Sequence, residues 1–287
     1  MTDPWHTQGI AVVGAGVMGV GIAALALAHG VPVTLVDIDP ARLALAPAAV
    51  RDQARIGALL RKLPAAGITA ELRTSTSVTA VAGAAAVVEA VTELPDTKAK
   101  VLAEVSTVVS AGTLLATNTS AIPVGELAAA TARPAELAGT HFMNPPYLID
   151  AVEVVRGPDT GDAAMAALAS LFAVLGRRAI LVGDGPGFVS NHVLMRMIND
   201  AARLVTEGRA AAERVDEVFT ACLGHRTGPL ATADLIGLDN VVDTLAVLYD
   251  RTGEEAYRAD AELLARVRAG NLGRKSGAGF YDYGSVS

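Results

Sequence analysis

The sequence predicts an α/β N-terminal domain of the Rossmann dinucleotide-binding type, residues 1–184, followed by an all-helical C-terminal domain, residues 185–287. Three observations predict it. The apolar run Ile10 to Val13 is followed at once by GAGVMG, residues 14–19. A second apolar run, Val31 to Val36, ends at Asp37, eighteen residues beyond Gly19. Further on, Gly183, Asp184, Gly185, Pro186 and Gly187 break the pattern as a linker, and the sequence beyond them has helical composition.

The first two observations make one unit. A short apolar run with no alternation fits a strand buried on both faces. Gly14 permits the tight turn after it, Gly16 lets the backbone approach a pyrophosphate, and Gly19 lets the next helix pack close to the strand. Val17 and Met18 then open that helix, whose N-terminus faces the phosphates. At the end of the second strand the Asp37 carboxylate can accept hydrogen bonds from both hydroxyls of an adenosine ribose. A 2′-phosphate would meet Asp37 and Asp39 with no arginine immediately after the strand, so the spacing predicts NAD rather than NADP.

Composition bounds the rest. A chain of 287 residues buries a sizeable core without difficulty, and 52% hydrophobic with 4% aromatic residues describes an alanine- and valine-rich globular protein. The net charge of −7 argues against a nucleic-acid binder, which would need a basic surface. The single cysteine, Cys222, excludes an internal disulfide framework and a multi-cysteine metal site, and is expected to be a small core side chain. Residues 9–28 are uncharged throughout, but five of them are glycines at nucleotide-turn positions and no Lys or Arg precedes them. They are read as strand, turn and helix, not as a membrane span or signal peptide, and the protein is expected to be cytoplasmic.

In chain order, residues 40–63 have helical composition, and Arg51, Arg55 and Lys62 fall on one side of a helical wheel as a basic stripe. Such a stripe is either a solvated face or a docking site for an anionic carrier. Thr74 to Ser77 and Ala84 to Val91 read as strands, the second leading into Glu93. Pro95 to Val109 reads as a helix with Pro95 in its first turn and Lys98 facing back toward Glu93. Leu114 to Ala116 is a strand running into Thr117, Asn118, Thr119 and Ser120, polar residues at the carboxyl end of a strand, where open α/β sheets gather ligands. Alone, this cluster is equally a turn capping the helix after Pro123.

Leu137 to Phe142, then MNPPYLID, then AVEVV read as two apolar strands around a proline turn, which sets His141 and Glu153 on neighbouring strands. A helix from Asp162 to Leu175 and a strand from Ala179 to Val182 complete the first domain. The helix Phe188 to Glu207 carries a polar stripe of His192, Arg196, Asn199, Arg203 and Glu207, with Asn191 off it among Met195, Ile198 and Ala202. A buried amide without a partner costs about 1–3 kcal/mol, so Asn191 is expected to be bonded to protein or ligand.

GAGVMG, VVEAVTE, ATNTS, THFMNP, AVEVV, GDGPGFVSN, GPLATADLIGLD and GRKSGAGFYDY occur in this order, and together they make the whole chain resemble the 3-hydroxyacyl-CoA dehydrogenases. That family joins a Rossmann domain to an all-helical domain that also forms the contact of a homodimer. The resemblance implies that Ser120 is an active-site serine, His141 the catalytic base, Glu153 its paired carboxylate and Asn191 an active-site asparagine. It further implies that Glu93, Lys98, Asn118 and Asn144 contact NAD. The residue types suit alcohol oxidation. The O–H proton must leave while hydride leaves the same carbon, an imidazole exchanges protons near neutral pH, and Ser120 and Asn191 can donate to the oxygen. This chemistry needs no metal.

Two departures bear on the substrate. Residues 63–73, LPAAGITAELR, contain no lysine where CoA-using relatives carry a lysine-rich arm, and Asp150 stands where a lysine is common. Both weaken the grip on CoA phosphates. Variants of this kind resemble the 3-hydroxyacyl or glyceryl carrier-protein dehydrogenases of polyketide extender-unit pathways. The sequence is therefore read as oxidising an acyl thioester on an acyl carrier protein, with 3-hydroxyacyl-CoA as the alternative carrier. A fold kept for NAD sensing without catalysis is a third reading, opposed by the presence together of Ser120, His141, Glu153 and Asn191.

Overall fold

Asp3 starts the first helix, α1 (Pro4–Thr7), by accepting from the Trp5 amide, and the buried Trp5 indole donates to Ser170 Oγ at 2.9 Å. Residues 3–284 are described by a computed structural model, which divides into two compact units, Met1–Gly185 and Pro186–Ser287. In the first unit follow β1 (Ile10–Val13), α2 (Val17–Ala28), β2 (Val33–Val36), α3 (Pro40–Leu59), β3 (Leu72–Ser75), β4 (Ala86–Glu89), α4 (Pro95–Val108), β5 (Leu114–Thr117), α5 (Val124–Ala128), β6 (Leu137–Phe142), β7 (Ala151–Arg156), α6 (Asp162–Val174) and β8 (Arg178–Gly183).

The strands form one sheet in the order β3-β2-β1-β4-β5-β6-β7-β8. From β3 to β6 every pairing is parallel, so the carboxyl ends of β1, β2, β4, β5 and β6 lie along one edge. The strand order reverses between β1 and β4, the crevice where such sheets bind dinucleotides. β7 turns back antiparallel to β6, with His141 directly opposite Glu153. All four residues of β1, β4 and β5 are buried, which is why these strands read as unbroken apolar runs.

The uncharged stretch 9–28 is thereby resolved into a four-residue strand, a glycine turn and a twelve-residue helix packed against α3. Every residue of α2 from Gly19 to Ala28 is buried, so the helix is apolar all round for reasons of packing. Among the described residues no helix is long and apolar enough to cross a membrane.

Two expected strands are shorter than read, β2 beginning at Val33 and not Val31 and β4 spanning Ala86–Glu89 and not Ala84 to Val91, and two further expectations fail locally in this unit. The basic stripe does not extend to Lys62, because α3 ends at Leu59 and Arg61 adopts a left-handed φ of 57°. The amides of Lys62 and Leu63 then fold back onto the Gly57 carbonyl, closing the helix as a Schellman turn does, and the Lys62 ammonium bonds Asp150 at 2.7 Å. The third strand ends at Ser75, two residues before the expected Ser77, because the Ser77 hydroxyl caps the following turn by accepting from the Thr79 amide.

The second unit is helical: α7 (Ser190–Thr206), α8 (Ala212–Glu217) continued by a wide turn at Val218–Cys222, α9 (Pro229–Ile236), α10 (Leu238–Thr252) and α11 (Ala261–Arg268). Its own core contains Met195, Ile198, Leu230, Leu245, Leu248 and Tyr257. Asn199 belongs with them and not on the polar stripe. It is fully buried, donating to the Ala256 and Arg258 carbonyls and accepting from the Asp260 amide. Cys222 is exposed on the wide turn, contrary to its expected core position, since no residue of Val218–Cys222 is buried.

Two buried carboxylates explain the C-terminal motifs. Asp216 accepts from the Leu230 and Ala231 amides and the Tyr281 hydroxyl, and Asp234 accepts from the Phe280 and Tyr281 amides and the Tyr283 hydroxyl. A side chain at Gly279 would stand 2.1 Å from Asp234, so only glycine lets the tail approach. Burial and the neighbouring Asp216 raise the Tyr281 hydroxyl above its ordinary range, keeping it a donor.

Candidate active site

The turn after β1 has the form its glycines require. Gly14 has a φ of 110°, and a Cβ on it would lie 2.5 Å from the Ala90 carbonyl; a Cβ on Gly19 would lie 1.8 Å from the Gly14 carbonyl. Gly16 differs, since nothing lies within 4 Å of a Cβ built there. It leaves open space at the N-terminus of α2, whose first turn has no side-chain cap, so its amides are available to a phosphate. Val17 is 65% exposed at that helix start, and Met18 packs partly buried against the core.

Asp37 follows β2 and is held in place: one carboxylate oxygen accepts from the Ala15 amide at 2.7 Å, the other from the Asp39 amide at 2.9 Å. Its remaining lone pairs suit the two hydroxyls of a ribose. An uncapped helix end, open space at Gly16 and an oriented acid after β2 together fit NAD.

Behind the ends of β4 and β5 lies a buried charge network. The Lys98 ammonium, with no exposed surface, bonds Glu89 at 2.8 Å, Glu93 at 3.1 Å and the Val91 carbonyl at 3.3 Å. Glu89 also accepts from the Thr117 hydroxyl and the Val91 amide. Burial works against the Lys98 charge, yet Glu89 and Glu93 outweigh it and raise its pKa. Burial likewise works against Glu93, but Lys98, the Thr119 hydroxyl and the Ser120 amide hold that carboxyl below its ordinary range. Lys98, expected to touch NAD, is thus enclosed, with its ammonium on Glu89 and Glu93. A lysine four residues into a helix gave no sign in the sequence of how completely it would be enclosed.

Glu93 in turn organises the loop after β5. One of its oxygens accepts from the Thr119 hydroxyl at 2.5 Å, the Ser120 amide at 2.6 Å, the Ala121 amide at 3.2 Å and the Ser120 hydroxyl at 3.2 Å. Thr119 also accepts from the Ile122 amide, so the polar cluster is both a helix-leading turn and the mount of Ser120. The buried Asn118 accepts from the Phe142 amide at 3.1 Å, joining the ends of β5 and β6. Asn144 is exposed just beyond β6, joined to Pro145 through a cis peptide bond.

His141 and Glu153 face each other across β6 and β7, with Nδ1 and a carboxylate oxygen 3.0 Å apart and both residues buried. With Nδ1–H donated to Glu153, Nε2 is left with the lone pair needed to accept a proton. Asn191 lies in the other unit, half-buried in the first turn of α7, its amide donating to the Gly187 carbonyl. The first unit therefore gathers Asp37, Glu93, Asn118, Ser120, Asn144 and His141 at or just beyond the carboxyl ends of its parallel strands, with Glu153 paired from β7. Sequence reasoning missed Glu89, whose buried pairing with Lys98 looks locally like any strand-end acid.

Comparison with known proteins agrees with this architecture. The 3-hydroxyacyl-CoA dehydrogenase NAD binding domain matches residues 9–185, and the 3-hydroxyacyl-CoA dehydrogenase C-terminal domain matches residues 187–283. A 3-hydroxybutyryl-CoA dehydrogenase of Mycobacterium tuberculosis is 38% identical over 288 residues, covering 96% of this chain and 98% of its own. Among solved structures, M. tuberculosis FadB2 superposes with a TM-score of 0.90 at 35% identity, covering 96% of this chain and 99% of its own. The (S)-3-hydroxybutyryl-CoA dehydrogenase PaaH1 from Ralstonia eutropha gives 0.87 at 36% identity, covering 97% and 99%. With both domains matched in order and relatives aligned over nearly their whole length, the chain belongs to the 3-hydroxyacyl-CoA dehydrogenase family, a family of NAD-dependent oxidoreductases.

Proposed function

We propose that this chain oxidises the 3-hydroxyl of a 3-hydroxyacyl-CoA thioester, of the 3-hydroxybutyryl-CoA kind after which its relatives are named, using NAD. The buried His141–Glu153 pair carries the reading. Glu153 fixes the tautomer in which Nε2 takes the hydroxyl proton, and its charge stabilises the imidazolium that results. Ser120 donates a hydrogen bond to the substrate oxygen once its hydroxyl turns from Glu93, and so orients the substrate carbon. The first-turn amides of α2 hold the pyrophosphate, Asp37 the ribose, and Glu93, Asn118 and Asn144 border the nicotinamide end. NAD, when bound, supplies the hydride acceptor.

A carrier-protein substrate is the second reading. It is supported by the pairing of Lys62 with Asp150, which removes one cation from the face left to bind CoA phosphates, and by the lysine-free segment that follows. Arg51 and Arg55, the latter paired with Asp52 at 3.3 Å, line a groove of about 510 Å³ with Ala54, Ala58, Leu59 and Ile68. The relatives are named for CoA thioesters, which reverses the order of the two readings drawn from sequence. With NADH absorbance as readout, kcat/KM for 3-hydroxybutyryl-CoA is expected to exceed that for the same acyl group on a carrier protein by about tenfold or more, roughly 1.4 kcal/mol. An advantage of that size in the opposite sense would establish the carrier-protein reading instead.

The helical unit is proposed to form a homodimer. Val193 on α7, Val218 and Leu223 at the wide turn and Leu235 on α9 are each more than half exposed in that unit. Apolar surface of this kind on a stable domain fits a second copy. Light scattering at micromolar concentration is expected to give about twice the 29.2 kDa chain mass. A 29.2 kDa species would rule the dimer out.

A further inference from the structure

We propose that Asp184 is a positioning residue for the reaction: it ties the loop that carries Ser120 to the point where the chain leaves the NAD-binding unit. The proposal rests on the reading of Ser120 as a donor to the substrate oxygen. Asp184 lies at the end of its unit, one residue before Gly185 closes it. Its two carboxylate oxygens accept from the Val124 and Gly125 amides, each at 2.8 Å, and one of them also accepts from the Gly185 amide at 3.0 Å.

These are the first amides of α5, which begins four residues after Ser120. The residue preceding α5 is Pro123, which offers no side-chain cap, so the acceptor comes from sixty residues further along the chain. Glu93 grips the same loop from its other end, through Thr119, Ser120 and Ala121. Ser120 is therefore bonded directly by one carboxylate, while a second holds the chain four and five residues further on.

The surroundings show that this tie is specific. A Cβ on Gly125 would lie 2.9 Å from Pro158 and 3.3 Å from the Asp184 carboxylate, so glycine is what admits the acid. By contrast, nothing lies within 4 Å of a Cβ built on Gly183 or Gly185, so packing does not wedge the chain on either side of Asp184. Val124 is fully buried and seats against Gly139 of β6, where a Cβ would lie 2.7 Å from it. Gly139 is two residues from His141 on the same strand. The Asp184 bond to the Val124 amide thus fixes a residue that lies between the Ser120 loop and the strand bearing His141.

The test compares Asp184→Asn, Ser120→Ala and the double variant in the full-length protein. Asparagine keeps the size and one acceptor but turns an NH2 group toward the second amide. For Asp184→Asn, kcat is expected to fall about tenfold or more while KM for the acyl thioester stays within about threefold and NADH affinity within about twofold. Amide exchange at Val124 and Gly125 should quicken and the change should spread to Ser120. If Asp184 acts through Ser120, the double variant is no slower than Ser120→Ala alone, because the two effects are coupled. Unchanged kcat in Asp184→Asn beside an impaired Ser120→Ala, or multiplying losses in the double variant, would overturn the proposal. Full turnover in Ser120→Ala is a different pattern: it removes the role of Ser120, and the proposal with it. Should Asp184→Asn lose NADH binding altogether, Asp184→Glu, which keeps both acceptor oxygens, carries the same comparison.

Discussion

Replacing His141 with alanine is expected to lower turnover by about a hundredfold or more while leaving NADH affinity nearly unchanged, because loss of the proposed base acts on the chemical step. The geometry makes the expectation specific. Nδ1 is committed to Glu153 at 3.0 Å, so only Nε2 can receive the proton, and the pair stands at directly opposed positions of two strands that leave it little freedom. The nucleotide turn follows β1 and Asp37 follows β2, separated from β6 by two and three intervening strands, so the substitution should not reach them. Pre-steady-state NADH formation separates the hydride step from product release. Turnover within about threefold of the unaltered protein would reject His141 as the base. Glu153→Gln keeps an acceptor for Nδ1–H but not the charge, so it should also slow the step.

Lys98→Met is expected to cause a large loss of stability, about 3–5 kcal/mol, because it leaves the fully buried Glu89, and the partly exposed Glu93 beside it, without their shared cation. Lys98 and Glu89 have no exposed surface, and the surrounding protein cannot replace an ammonium with water without opening. The pH dependence follows from the two shifts. The Glu93 carboxyl is held below its ordinary 4.5, so its contribution is complete above that pH and is lost as pH falls through the folded value. The Lys98 ammonium is raised above its ordinary 10.5, so its contribution is complete below that pH and is lost as pH rises through the folded value. Between 4.5 and 10.5 the network is intact, and the gap between the unaltered protein and the variant should narrow outside that window. Urea unfolding across this range measures it. A loss under about 1 kcal/mol at neutral pH would show that the network contributes little, and adding Glu89→Gln to Lys98→Met should restore part of the loss.

Much of the candidate site was legible because its signals are local. The glycine spacing, the apolar run before it and the acid at the end of the next strand lie within residues 9–39, and each has a steric or hydrogen-bonding reason that needs no distant partner. The turn at Asn144, Pro145 and Pro146 likewise made His141 and Glu153 neighbours. Its antiparallel sense and the direct register of the pair are seen only in the pairing of β6 with β7. Periodicity misled where a helix stopped early or was covered later. Lys62 left the basic stripe at the left-handed Arg61, and Asn199 was buried by residues 256–260 folding over α7.

The sequence by itself determined that a strand, a glycine turn, a helix and an acid would make a dinucleotide site, since those residues act on neighbours a few positions away. The tertiary structure decided which charges are enclosed and which loops are tied. Lys98 meets Glu89 only because β4 and α4 pack together, Asp184 reaches α5 across sixty residues, Lys62 reaches Asp150 across 88, and Asp216 and Asp234 gather the C-terminal tail. Polar side chains of these types are ordinarily solvated, and nothing in their immediate neighbours distinguishes a solvated carboxylate from one that will be enclosed. What separates the two is the set of donors brought to it by strand order and chain reversal, which exists only once the apolar core has formed.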